Sequence, residues 1–375
     1  MNPEPHFTHW ITRLIDGSDL TRDESRRAFS TLLAAHSGAA SPDVPNDMEQ
    51  GAFLAALRAK GENEAEVVGA WEAIVAEDTA RITLGPDISV VDNTGTGMDD
   101  FKTFNISTAA AIVAASRGVP MARHGARAIT STCGTVDMAE ALGVDVEADV
   151  SLVARSISQA GMGVFNGTSP AVHPALGRIL SQIHFGTTLN IAASLANPAM
   201  PRIGVRGVSR PEMIRPVIRV MKAIGYKRAL VCYGAIDGTD KGMDEASVCG
   251  MTMCAELFED GKIQEFSMQP ADFGLSPLLP GDLPPEADRE QAARRFVALI
   301  RGEDNPNGVR QQTVALNTAL ILKVAGKTDT LPDGMALANR AIETGLAYTA
   351  LENWVTAQNR YPEKGLSTLR RLWKS

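Results

Sequence analysis

The segment from Ile88 to Ala122 leaves this chain few folds to choose from. Ile88-Ser89-Val90-Val91 is a short β-branched run that ends in a polar, glycine-bearing loop. Ile106 to Arg117 is alanine-rich and helical, and Gly118-Val119-Pro120-Met121-Ala122 reads as a second strand. Strand, crossover helix and strand make a parallel pair, and a parallel sheet needs helices to cover it. The rhythm returns downstream. A helix starts at Pro211, whose fixed φ suits the first helical position after Ser209, and Ala229-Leu230-Val231-Cys232-Tyr233 reads as a buried strand. Residues 311–325 and 333–345 are helical, whereas Met268 to Glu286, rich in Pro, Leu and Asp, read as a surface excursion. The class is α/β with a mostly parallel central sheet.

Ahead of residue 81 the pattern is helical only. Thr21-Arg22-Asp23-Glu24 is a capping box that opens an amphipathic run through Leu33. A second helix spans Gly51 to Ala59. A third, capped by Asn63 and running to Ala80, carries Val67, Val68, Trp71, Ile74 and Val75 on one stripe. The chain therefore divides into a small all-helical domain, residues 1–80, and a larger α/β domain, residues 81–375.

Composition narrows the function. With 36 Lys and Arg against 44 Asp and Glu, the net charge is −8, which argues against a nucleic-acid or anionic-membrane partner. No apolar run approaches the roughly 20 residues needed to span a bilayer. Met1 to Leu20 lacks a basic start followed by an apolar block, so no secretory signal is readable and the cytoplasm is expected. Cys133, Cys232, Cys249 and Cys254 form no Cys-x-x-Cys and read as buried thiols.

Three stretches carry chemistry. Asp92-Asn93-Thr94-Gly95-Thr96-Gly97-Met98-Asp99 leads through Thr103, Asn105, Ser107 and Thr108 into a helix, so free amides and hydroxyls can hold an anion. It is not a Walker A loop, and it lacks the third glycine of the dinucleotide fingerprint. Taken alone, Asn105, Ser107 or Thr108 could simply cap the helix. The second stretch, Arg123 to Thr135, offers Arg123 and Arg127 as cations and a Thr/Ser/Gly loop at the sheet's carboxyl edge. The third, Asp244-Glu245, is an adjacent acidic pair of hard oxygen ligands suited to Mg²⁺.

Together these stretches resemble the anthranilate phosphoribosyltransferase family, part of a group that includes pyrimidine nucleoside phosphorylases. Gly95-Thr96-Gly97 with Asp99 is similar to its GTGGD loop, and residues 103–108 match its TFNIST segment. His124-Gly125 and Gly134-Thr135 fall on its KHG and SGS, and Asp244-Glu245 on its acidic pair. The resemblance implies a fold of the nucleoside phosphorylase/phosphoribosyltransferase type, with helices near 175–195 joining the helical domain, a cleft site and a homodimer. It implies transfer of phosphoribose from phosphoribosyl pyrophosphate to an aromatic amine, anthranilate, in tryptophan biosynthesis, with no covalent nucleophile. Gly95, Thr96, Gly97, Asp99, Thr103, Asn105, Ser107, Thr108, Arg123, Gly125 and Thr135 would hold the donor. Ser107, Asp244 and Glu245 would hold Mg²⁺, and Gly95, His124, Ala126, His173 and Ile183 would face the acceptor.

The chain departs from the family pattern at informative places. Met98 replaces the last glycine of GTGGD, Arg123 a lysine, and Ala126 an asparagine that contacts the acceptor in the family. Counting on from His173-Pro174-Ala175, the arginine expected for the acceptor carboxylate falls at Ile183, and Arg178 is the only arginine nearby. Two other readings fit the same residues. One is a paralogue with another acceptor, or a nucleoside phosphorolysis, marked by Ile183 and Ala126. The other is a non-catalytic ligand- or nucleic-acid-binding protein, against which the acidic balance and Asp244-Glu245 count.

Overall fold

The structure, a computed structural model, describes residues 6–35, 44–128, 133–183 and 185–373. The chain opens with helices α1 (Phe7–Ile15), α2 (Arg22–Ala34), α3 (Asp47–Lys60) and α4 (Glu64–Glu77). Next come β1 (Val91–Gly95), α5 (Ile106–Ser116), β2 (Met121–Gly125), α6 (Thr135–Ala141), α7 (Val150–Ala160) and β3 (Met162–Asn166). Helices α8 (Leu176–Gln182) and α9 (Leu189–Ala192) precede β4 (Ile203–Gly207), α10 (Ile214–Ala223) and β5 (Arg228–Ala235). Then follow β6 (Gly242–Met243), β7 (Thr252–Leu257), β8 (Ile263–Met268) and helices α11 (Arg289–Ile300) and α12 (Val309–Val324). The last elements are α13 (Leu331–Glu343), α14 (Leu346–Ala357) and α15 (Pro362–Arg371). They sort into two compact units, Met1–Arg81 with Gly167–Met200, and Ile82–Asn166 with Pro201–Ser375.

The first unit is all helix, held by caps and an aromatic core. Thr21, Asn46 and Asn63 each cap a helix reciprocally with a Glu three residues on, which fixes where α2, α3 and α4 begin. Phe7, Trp10, Phe29 and Phe53 are buried together, with Phe7 and Phe53 centroids 5.2 Å apart. Glu66 is fully buried in this unit, yet its carboxylate meets the Leu20 amide at 2.9 Å and the Lys60 ammonium at 3.0 Å, so the charge is paired.

The second unit is built on an eight-stranded sheet in the order β3-β2-β1-β4-β5-β7-β8, with β6 on β5. Strands β3, β2, β1, β4 and β5 run parallel, while β7 and β8 extend the sheet in antiparallel fashion. The α/β class with a mostly parallel sheet therefore stands. α12 lies among the core residues along nearly its whole length and packs with α5 and α13. Among the described residues no helix is long and apolar enough to cross a membrane.

Strand limits differ from the sequence expectation in one direction. Ile88 to Val90 are not strand, and β1 instead carries Asp92-Asn93-Thr94-Gly95; β2 likewise runs on through Arg123-His124-Gly125. Polar and glycine residues argue against strand by propensity, but the ladder Asp92–Gly204, Asn93–Val205, Thr94–Arg206 overrides it. The expected helix from Pro211 begins as a 3₁₀ turn, Pro211–Met213, and becomes α only at Ile214. The excursion before α11 is also anchored, since Leu283 in it is fully buried and its carbonyl accepts the Phe104 amide at 3.0 Å.

Candidate active site

The strand order reverses at β1: the chain steps out to β2 and β3, then returns to place β4 on the other side. In an open parallel sheet such a switch point leaves a crevice at the carboxyl ends of the strands. Here β1 ends in Gly95 and β4 in Gly207, register partners of each other. Both touch Asp244. A Cβ at Gly95 would lie 1.9 Å from Asp244 Oδ2, and one at Gly207 would lie 1.5 Å from the Asp244 carbonyl oxygen. At Gly234 in β5 a Cβ would lie 2.4 Å from the Glu245 carbonyl. The acidic pair is thus seated on backbone where no side chain fits. The Gly97 amide donates to Asp244 Oδ2 at 2.8 Å, and the Phe101 amide to the Gly242 carbonyl at 3.0 Å, so the loop after β1 and the acidic segment are laced together.

Three carboxyls crowd this edge. Burial pushes Asp99 above the usual carboxylate range, opposed by Lys102 Nζ at 3.0 Å. Burial and then the Asp99 charge raise Asp244 to about 6. Burial and the neighbouring Asp244 push Glu245 well up, opposed by the Arg123 guanidinium and by the Ser107 amide, which hydrogen-bonds its carboxylate. Among the described residues no group of three or more His, Cys, Asp or Glu forms a metal cage. One or two carboxylates are what Mg²⁺ takes from protein when water and substrate phosphates complete its shell. The donor chemistry fits that ion, and the crowding is what a divalent cation relieves.

The α5 amino terminus opens beside the pair. Its N-cap residue, Asn105, makes no capping bond; Asn105 Nδ2 donates instead to the Cys133 carbonyl at 3.1 Å. Arg123 is 1% exposed, and burial lowers it to about 10. Its guanidinium donates to the Asn93 carbonyl at 3.1 Å, to Thr108 Oγ1, and to Ser107 Oγ at 2.8 Å. Arg123 therefore grips the first turn of α5 from below. Asn93 Nδ2 bonds the Ser107 carbonyl at 2.8 Å, while its Oδ1 has no protein partner and borders a cavity of about 10 Å³ with Ser107, Glu245 and Asn317. That is room for about one water.

The second loop is organised differently from the sequence expectation. Arg127 is no free cation, because it pairs with Asp137 at 3.3 Å and with Glu140 and Glu147 at 3.0 Å each. Gly125 abuts Thr135, a Cβ at Gly125 falling 2.9 Å from that of Thr135. His124 is buried and Ala126 half-buried. Ile129 to Thr132, expected to offer hydroxyls, lie outside the described residues.

Residues 87–348 match a model described as the glycosyl transferase family a/b domain, and residues 8–77 its helical bundle domain. An anthranilate phosphoribosyltransferase of Myxococcus xanthus is 38% identical over 91% of this chain and 96% of its own length. One of Methanothermobacter thermautotrophicus is 33% identical over 93% and 97%. The chain belongs to the anthranilate phosphoribosyltransferase family. The crystal structure of the Thermus thermophilus member superposes with a TM-score of 0.80 at 29% identity, covering 93% of this chain and 99% of that one. A Saccharomyces cerevisiae member in complex with phosphoribosyl pyrophosphate and Mg shares the fold, with a TM-score of 0.80 at 22% identity over 94% and 97%.

Against the family pattern, this phosphoribosyltransferase keeps Met98 at a φ of +65°, in the left-handed region that glycine adopts without cost. A side chain at that φ strains the loop, and the Met98 side chain is 48% exposed. In the helical unit, His173 is fully buried, and its ring Nδ1 lies 3.1 Å from the Asp78 carbonyl. Burial lowers its pKa to about 4. Asp78 in turn accepts the amides of Ala175 at 2.6 Å and Leu176 at 3.0 Å, so it caps α8. His173, expected to face an acceptor, is bonded to Asp78 within its own unit. Ile183 ends α8, and Arg178 is committed to Asp47 and Gln50 of α3 at 2.8 Å each.

Thirteen of the expected residues thus share the carboxyl edge of one sheet: Gly95, Thr96, Gly97, Asp99, Thr103, Asn105, Ser107, Thr108, Arg123, Gly125, Thr135, Asp244 and Glu245. His173 and Ile183 belong to the helical unit. Sequence reading gave no role to Asn93 and Lys102, which lie inside the first stretch, and missed Gly207 and Gly234. The two glycines carried a signal, since each, like Gly95 and Gly125, sits at or beside the carboxyl end of a parallel strand.

Proposed function

We propose that this enzyme transfers the phosphoribosyl group of phosphoribosyl pyrophosphate to anthranilate, releasing pyrophosphate. The observation that carries the reading is the acidic pair seated on Gly95 and Gly207 beside the uncapped start of α5. In the reaction the anomeric C–O bond breaks, the amine nitrogen bonds the same carbon, and the amine gives up one proton. Charge builds on the leaving pyrophosphate and on the sugar ring. Ser107, Asp244 and Glu245 would hold Mg²⁺, which supplies neutralisation of the departing phosphates. The loop Gly95 to Asp99 and the hydroxyls of Thr103, Ser107 and Thr108 orient the donor. Arg123 fixes Ser107 and Thr108 in place, and preorganised donors of this kind need no rearrangement as charge develops. His124 and Ala126 at the end of β2 face the acceptor. The catalyst is a cytoplasmic homodimer formed through its helical unit, a reading supported by Ile15 and Met48, which are 70% and 86% exposed there.

The test follows loss of anthranilate fluorescence and release of pyrophosphate in one tube with donor and Mg²⁺. Both signals should move together and vanish in the double variant Asp244→Ala, Glu245→Ala. Donor binding by calorimetry without either signal would overturn the acceptor and leave the donor site standing.

A further inference from the structure

Asp137 lies in the first turn of α6, in none of the residues assigned above to donor, acceptor or metal. Its Oδ2 accepts the Ala128 amide at 2.7 Å and the Gly134 amide at 3.0 Å, so one oxygen grips the backbone at two places six residues apart. Its Oδ1 takes Arg127 Nη1 at 3.3 Å, and Arg289 Nε donates to its carbonyl at 3.0 Å. The side chain is only 14% exposed. Around this grip the chain is folded tightly on itself. A Cβ at Gly134 would lie 2.5 Å from the Ala128 nitrogen and 2.9 Å from the Ala126 carbonyl. On either side of Gly134 are the two residues that reach the donor edge: Thr135 against Gly125, and Cys133, whose carbonyl holds Asn105 at the start of α5.

We propose that Asp137 is a positioning residue for donor binding, stapling the backbone at Ala128 and Gly134 so that Thr135 and, through Cys133, Asn105 stand at the spacing the donor phosphates require. The inference rests on the donor site proposed above. A helix cap needs only the Gly134 amide. The second bond, to Ala128, and the ion pair with Arg127 have no part in capping and fix the backbone at Ala128 against that at Gly134.

The experiment measures donor affinity by calorimetry with phosphoribosyl pyrophosphate and Mg²⁺, without acceptor. Asp137→Ala should weaken binding at least about tenfold, the loss expected when two charge-assisted bonds go, and in a separate turnover assay leave the acceptor KM within about twofold. Asp137→Asn, which keeps one oxygen for both amides, should restore most of the affinity. Asp149→Ala removes the cap of α7, whose Leu152 amide it holds at 2.9 Å, and serves as the control for lost stability. It should lower the melting midpoint and leave donor affinity unchanged. If Asp137→Ala does not fold, Asp137→Ser, too short to span both amides, carries the same expectation. A folded Ala or Ser variant with parental donor affinity overturns the staple. A parent that binds no donor overturns instead the reading on which it rests.

Discussion

Asp244→Asn should make the metal-free protein more stable while abolishing its chemistry. The substitution keeps the shape and leaves an oxygen for the Gly97 amide, which donates to Asp244 at 2.8 Å. What it removes is a charge in a place that resists it. Burial and the Asp99 carboxylate raise the Asp244 pKa from 3.8 to about 6. At about 1.36 kcal/mol per unit, ionising this group costs the fold up to about 3 kcal/mol, and shared protonation with Asp99 brings that to about 1–3 kcal/mol. The sign follows from linkage. A raised carboxyl pKa means the folded state keeps a proton that the unfolded chain has lost, so the penalty is absent below about pH 4, grows toward pH 6 and is full above it. Melting and urea midpoints in EDTA at pH 4, 5, 6 and 7.5 would read the difference between variant and parent. Parent and variant should coincide near pH 4, and the variant should lead by roughly 2–12 °C at pH 7.5, given about 2–4 °C per kcal/mol. Mg²⁺ should raise the parent midpoint more than the variant's, and donor turnover should disappear in the variant. A variant no more stable than the parent at pH 7.5, or a gain that does not change with pH, would refute the reasoning.

Gly207→Ala puts a Cβ 1.5 Å from the Asp244 carbonyl, so the acidic segment must move. Stability should fall by about 1–3 kcal/mol and turnover by at least about tenfold, read by urea midpoint and pyrophosphate release. His173, held near 4 from an ordinary 6.5, stays neutral in the fold while the unfolded chain protonates, so its stabilisation is present above about pH 6.5 and lost toward pH 4. His173→Gln should flatten that slope, worth about 3 kcal/mol at most, in variant-minus-parent urea midpoints at pH 4.5 and 7.5. Met98→Gly relieves a left-handed φ of +65° but frees the unfolded chain, so the net change should be within about 1 kcal/mol. A larger loss would show that the Met98 side chain is itself a contact.

Helices α2 and α4 were legible because their caps are local: Thr21 with Glu24 and Asn63 with Glu66 act within one turn. The chemistry-bearing loop was legible as a motif but misplaced as structure. Asp92 to Gly95 are strand because Gly204, Val205 and Arg206 pair with them from over a hundred residues away. Arg127 looked like a cation for a ligand, and nothing local revealed that Glu140, Glu147 and Asp137 converge on it. The antiparallel pair β7 and β8 was missed because Thr252 to Leu257 mixes Met, Cys and Glu, and its partner was needed to read it. His173 was assigned to the acceptor only through the resemblance, and its neighbour Asp78 stands outside that motif.

At Gly95, Gly207 and Gly234 the acidic segment rests on main chain at distances that exclude even a methyl group. Its placement is therefore a property of the sheet and not of any replaceable neighbour. In a library of variants the strand ends under Asp244 and Glu245 should be silent ground, yielding no active clone, while Ala126 and Ile183, each only half-buried, can take larger residues. Sequence change in this scaffold is therefore expected away from those strand ends, with the segment that carries Asp244 and Glu245 inherited unchanged.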